Sequence, residues 1–99
     1  MAETYTSGLW LVKDGEEEAF VEAWTRFVEW ASGFPGSGTF RLVRDLEVPR
    51  RYVSFAPWES FEAQRGWKED PEFRERIGRV RAHCDEFEPS TLELSAEVV

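Results

Sequence analysis

Residues 52–67, YVSFAPWESFEAQRGW, decide the fold, because two periodicities meet inside them. Tyr52, Ser54 and Ala56 fall on one side of an extended segment, and Val53 and Phe55 on the other, the two-residue repeat of a strand buried in part on both faces. Pro57 is then expected to end the strand and pre-set a first helical turn, with Trp58, Phe61 and Arg65 following at helical spacing. A bulky ring at a strand-to-helix junction is rigidly held and suited to lining a cavity.

Upstream, residues 5–13, YTSGLWLVK, alternate Leu9 and Leu11 with Trp10 and Val12, a strand apolar on both faces. Asp14-Gly15 makes a turn, and Glu16, Glu17 and Glu18 place negative charge at the start of a helix, where the exposed backbone N–H groups favour it. From Glu16 to Ala31, Phe20, Trp24, Phe27 and Ala31 form one helical stripe, while Glu22, Arg26 and Glu29 point away. Residues 33–38, GFPGSG, break the helix. Residues 39–45, TFRLVRD, alternate as a second strand, and 46–50 form a hairpin loop into the stretch quoted above.

Downstream, Asp70 and Pro71 suit the cap and first position of a helix expected to run from Pro71 to about Glu86, stacking Phe73, Ile77, Val80 and Cys84 on one face. Pro89 closes that region, and Leu92, Leu94, Ala96 and Val98 alternate as an expected fourth strand. The order is β-α-β-β-α-β, predicting an α+β, ferredoxin-like antiparallel four-stranded sheet with helices on one face. Since helices cover one side only, the other apolar side is expected to pack on a second copy of the chain, giving a homodimer.

Composition limits the partners. Ninety-nine residues are expected to form one domain over 1–99, with a thin stability margin for its size. Fifteen of them are Trp, Phe or Tyr, more rings than so small an interior encloses easily. The net charge of −8, from 20 acidic and 12 basic residues, opposes binding to nucleic acid or to an anionic membrane. No apolar run reaches the roughly 18 residues of a membrane span, and MAETYTSG lacks the character of a signal peptide. A lone Cys84 forms no internal disulfide and, beside one histidine, no zinc site, as in a reduced, cytoplasmic chain.

The chain resembles, over nearly its whole length, the antibiotic biosynthesis monooxygenase family of dimeric α+β-barrel proteins. The likeness is carried by Lys13-Asp14-Gly15 after the opening strand, Phe20 and Trp24, Pro35-Gly36, Leu42 to Asp45, SFAPWES from Ser54 to Ser60, Asp70-Pro71 with Phe73, and Phe87-Glu88-Pro89. The resemblance implies a cavity between sheet and helices, lined by the tryptophan at the Trp58 position. It also implies oxidation of aromatic phenols to quinones, or opening of haem, by O2 with no flavin or metal of the protein's own. Quinone-forming members carry asparagine, tyrosine and arginine where this chain has Ser54, Gln64 and Ile77, with Arg76 adjacent. The haem-opening branch carries a histidine where Ile77 stands and an asparagine where Ser7 and Gly8 stand.

On this reading the candidate catalytic groups are Trp58, Ser54 and His83, and the candidate substrate-binding groups are Tyr52, Trp24, Trp67, Gln64 and Arg76. His83, an imidazole beside the expected cavity, suits a general base; the reading favoured over it is a half-exposed pair with an acidic neighbour such as Glu86 or Asp85. Trp24 lies in the middle of a core stripe, and Trp67 beside a helix break serves as lid or packing. Tyr52 and Ser54 meet a ligand if their face looks at the helices, and a second subunit if it does not. Arg41, Arg44, Arg50 and Arg51 read as surface ion-pair partners, and Cys84 as a small hydrophobe. The leading expectation is a cofactor-independent monooxygenase acting on an aromatic or polyketide-type phenol, with no cofactor and no metal. The alternatives are a non-catalytic small-molecule-binding or structural homodimer and, third, a haem-handling protein.

Overall fold

The structure, a computed structural model, describes residues 3–99, so the first two residues of the MAETYTSG start lie outside the described residues. The elements are β1 (Thr4–Val12), α1 (Glu17–Ala31), β2 (Arg41–Arg44), β3 (Arg51–Trp58), α2 (Phe61–Lys68), α3 (Phe73–Arg81) and β4 (Cys84–Glu93). The four strands form one antiparallel sheet in the order β2-β3-β1-β4. This is the expected ferredoxin-like α+β architecture.

Register decides which residues share a face. Gly8 stands opposite Ser54 and Trp10 opposite Tyr52, while Gly8 also faces Pro89 and Trp10 faces Phe87 on the other side. Directly opposed residues of antiparallel strands project to the same side. Thr4, Thr6, Trp10 and Val12 of β1 and Tyr52, Ala56 and Trp58 of β3 are all buried, so this side lies beneath the helices. The opposite side carries Tyr5, Leu9, Leu11, Val43, Val53 and Phe55 and is covered by no helix; Val43 remains 47% exposed.

The α1 stripe is as the periodicity requires, with Phe20, Trp24, Phe27 and Ala31 buried and Glu17 and Glu18 in the first turn. Phe20, Trp10 and Tyr52 pack with ring centroids 5.1–5.4 Å apart. Helix α2 is started by Ser60, whose hydroxyl accepts from the Ala63 N–H at 3.0 Å. Ion pairs Arg76–Glu72 (3.0 Å) and Arg79–Glu75 (2.7 Å) line α3 at i,i+4 spacing.

Four expected boundaries shift, the first being the start of the last helix, which begins at Phe73 after Glu72 and not at Pro71 after an Asp70 cap. Pro57 does not end β3: the strand runs through it to Trp58, and the helix begins only at Phe61. The Pro57 carbonyl accepts from the Gly38 N–H at 2.9 Å, on the side where β2 has already ended, so the missing proline N–H deprives no partner strand of a bond. The last helix stops at Arg81 rather than near Glu86, which takes Cys84 off its buried stripe and makes it the first residue of β4. The fourth strand occupies 84–93, not 92–98, because Phe87 stacks on Trp10 at 4.0 Å and a bulge at Leu11/Val12 absorbs Asp85. Pro89 is tolerated there because β4 is an edge strand.

Removing the Ser60 cap as Ser60→Ala is expected to cost about 1 kcal/mol. Phe20→Ala, at a fully buried ring, is expected to cost about 3–5 kcal/mol. Urea unfolding at fixed protein concentration checks both, with an unchanged denaturant slope showing that the denatured state is the same.

Candidate functional site

The aromatic contacts fall into two clusters that share no ring. Trp10, Phe20, Tyr52 and Phe87 form one. Phe27, Trp30, Phe34, Phe40, Trp58, Trp67 and Phe73 form the other. Between them lies a cavity of about 50 Å³, bounded by Trp10 and Phe87 on one side and by Trp67, Phe40, Phe27 and Phe73 on the other.

The cavity exists because two small residues are paired in the middle of the sheet. Gly8 and Ser54 are directly opposed on its floor. A Cβ on Gly8 would stand 2.9 Å from Trp10 Nε1 and 3.0 Å from both Ser54 Oγ and the Phe87 ring, too close without displacing them. Trp10 Nε1 donates to Ser54 Oγ at 3.0 Å. That bond uses one hydroxyl lone pair and leaves the Ser54 O–H free to donate to a ligand oxygen.

Of the residues singled out from sequence, Ser54, Trp24 and Trp67 line this cavity. Trp58 does not: its ring is stacked behind Trp67, centroids 5.1 Å apart, and its Nε1 donates to Thr6 Oγ1 at 3.0 Å. It backs the wall rather than forming it. Tyr52 looks toward the helices but sits against Phe20, with the Arg44 guanidinium 5.8 Å from its ring centroid.

Gln64 is 1% exposed, one helical turn from Trp67, and its Oε1 accepts from Thr91 Oγ1 at 3.4 Å. Arg76 lies over the Trp30 ring and faces a surface hollow between α1 and α3, shared with Arg26 and Arg79. His83 is outside the cavity, its Nδ1 2.9 Å from Glu16 Oε1. It takes the partnered alternative, but with Glu16 instead of the nearby Asp85 or Glu86, because α3 ends before His83 and turns it toward the start of α1.

Periodicity had passed over Gly8, Trp10, Phe40, Phe87 and Lys68 as wall residues. One signal was available: a glycine inside a strand marks a close approach. The others lie on elements whose meeting only the packed chain reveals. Among the described residues, no group of three or more His, Cys, Asp or Glu side chains is placed to hold a metal ion. Burial, with Asp85 and Glu16 nearby, pushes the Cys84 thiol up to about 11.

With this geometry in place, the family model for antibiotic biosynthesis monooxygenase matches residues 8–78. The chain belongs to the antibiotic biosynthesis monooxygenase family. Among solved structures, a variant of SnoaB, a cofactor-independent oxygenase from Streptomyces nogalater, superposes with a TM-score of 0.83 at 22% identity, covering 98% of this chain and 95% of that one. A putative antibiotic biosynthesis monooxygenase from Bordetella bronchiseptica gives 0.83 at 19%, covering 99% and 100%. A conserved protein from Methanosarcina mazei gives 0.82 at 16%, covering 93% and 92%. A search of the curated proteins gives no match. At these identities the shared feature is the fold. Within the family's layout, this member has a serine on the cavity floor and an isoleucine, Ile77, in its wall.

Gly8→Ala is expected to fill the cavity floor, displace the Trp10 indole and destabilise the protein by about 1–3 kcal/mol. A changed tryptophan emission maximum together with a lowered urea midpoint checks it. With its thiol near 11, Cys84 is expected to alkylate slowly at pH 8 and to speed up steadily as pH rises toward that value, followed by mass spectrometry with iodoacetamide.

Proposed function

We propose that this protein is a cofactor-independent, monooxygenase-like oxidoreductase that works as a homodimer on a flat aromatic phenol. The observation that carries the reading is the apolar cavity between two sets of rings, with one oriented hydroxyl, Ser54, on its floor. Trp10 and Trp67 offer faces for a flat ligand. Exclusion of water strengthens the hydrogen bond from Ser54 to a phenol oxygen as that oxygen gains charge. The ionised substrate then reduces O2 directly: a ring CH2 becomes C=O, one oxygen atom stays in the product and the other leaves as water. Trp58 and Gln64 act by holding Trp67 and the end of α2 in place. His83 and Arg76, paired elsewhere, take no part in the proton transfer.

Dimer formation follows from the uncovered sheet face, whose Leu9, Leu11, Val43, Val53 and Phe55 make an apolar surface continuous across three strands. A second reading, a binding or structural dimer without chemistry, is favoured by cavity size. About 50 Å³ is several-fold below the roughly 300 Å³ at which drug-sized pockets begin, so the rings must part to admit a polycyclic substrate.

Oxygen uptake with anthrone-type phenols separates the two. The oxygenase reading expects equimolar O2 consumption, slowed on the order of tenfold by Ser54→Ala, the share of one hydrogen bond to a charged oxygen. Saturable binding without uptake establishes the non-catalytic reading instead. Sedimentation is expected to give a particle of twice the 11.5 kDa chain mass, and Leu9→Glu, which sets a charge in the middle of the uncovered face, is expected to halve it.

A further inference from the structure

Helix α2 forms part of the cavity wall through Trp67 and Lys68 and is weakly secured there. It is eight residues long, and Gly66 stands in its last turn, where a Cβ would meet nothing within 4 Å. No neighbour requires a glycine at this position, and glycine inside a helix lowers its stability relative to alanine. Two buried donors on the helix are also unmet. Gln64 is 1% exposed and Trp67 5% exposed, and neither Gln64 Nε2 nor Trp67 Nε1 finds an acceptor among the described residues. Turning the Gln64 amide over would leave its oxygen unmet instead. A buried N–H without an acceptor has lost its hydration for nothing, and moving the helix outward returns both groups to water, whichever way they point.

A short polar bridge ties the helix to β4. Thr91 is paired with Thr6, whose side chain is buried beneath the helices, so Thr91 stands on the helix side of its strand. Its Oγ1 accepts from Lys68 Nζ at 3.0 Å and donates to Gln64 Oε1 at 3.4 Å. Pro89, two residues away on the same face, is an exposed member of the cavity lining, and Lys68 is a part-exposed one. The bridge therefore spans from α2 to an edge strand at the rim of the cavity. Packing of the Trp67 ring against Trp58, Phe27, Phe40 and Phe73 adds to the bridge and keeps any open form a minor one.

We propose that α2 is a lid, opening at its C-terminal turn to admit a flat ligand and held shut by the Lys68–Thr91–Gln64 bridge to β4. The space enclosed with the helix in place, about 50 Å³, is too small for an aromatic ligand, so a wall must move. Among the walls, the strands are fixed by ladder pairing and α1 by four buried residues, whereas α2 carries the unmet donors and the glycine. The lid rests on the reading of this cavity as a ligand site, and it states how that site is reached.

Two measurements on the full-length protein test it: hydrogen exchange read by NMR, and stopped-flow binding of 2-naphthol under nitrogen, read by quenching of tryptophan fluorescence. The Trp67 indole N–H and the α2 amides from Arg65 to Lys68 are expected to exchange about a hundredfold or more faster than the β1 amides between Leu9 and Leu11. Low urea is expected to leave the α2 rates almost unchanged while those of β1 rise, because a local opening exposes little surface. With increasing naphthol, the observed binding rate is expected to level off at the opening rate instead of climbing linearly. Thr91→Val and Lys68→Met are each expected to raise both α2 exchange and that plateau several-fold, and Gly66→Ala to lower both, with thermal unfolding confirming that each variant is folded. Exchange of α2 as slow and as urea-dependent as that of β1 overturns the lid, as does a plateau that none of the three variants moves. A binding rate that climbs linearly removes the lid and leaves the cavity as a ligand site. Fast α2 exchange with no saturable naphthol binding removes both.

Discussion

The register of β1 on β3 is the constraint on which the other features depend. Because side chains alternate along a strand, sliding β1 by one residue would exchange its two faces entirely. In the register observed, Trp10, Thr6 and Val12 lie under the helices, and Leu9 and Leu11 lie on the open face. The same register sets Gly8 against Ser54, a pair of small residues in the middle of the sheet above which the layer of rings can separate. Candidate site and open apolar face are therefore two outcomes of a single alignment.

The rings do more than fill volume. Trp58 and Trp67 are stacked nearly parallel, 22° apart, while Phe40 and Phe73 meet Trp67 edge-on. Such mixed geometry fixes an aromatic wall more tightly than aliphatic packing of equal area, since rings favour offset stacks and edge contacts. Trp58 is held from behind by Thr6, and Ser54 from the side by Trp10, so the polar atoms near the cavity are oriented by tryptophans that are themselves buried. Charge is concentrated elsewhere: Arg76 and Arg79 of α3 pair with Glu72 and Glu75, and His83 pairs with Glu16. Lys68 lies at the cavity's edge, where its Nζ donates to Thr91 Oγ1.

Much of the fold was legible because it rests on local periodicity. The α1 stripe and the doubly apolar β1 each follow from spacing alone, and both stand as read. The boundaries that moved did so for non-local reasons. Pro57 and Pro89 read as terminators, yet each sits in a strand where its missing N–H faces no paired strand, something only the strand order reveals. Leu92 to Val98 alternate as a strand should, but β4 is placed by Phe87 stacking on Trp10, a contact between residues 77 positions apart.

The candidate site divides in the same way. Sequence by itself determined the antiparallel α+β fold, the excess of rings, the acidic surface and the small set of polar side chains on and beside β3, because these follow from composition and from periods of two and 3.6 residues. Only tertiary structure decided that Ser54 faces the cavity while Trp58 stands behind it, that Gly8 makes the room, and that His83 is occupied by Glu16. Those outcomes turn on register and on where α2 and α3 come to rest against the sheet. Such contacts join residues distant in the chain, and no local period encodes them.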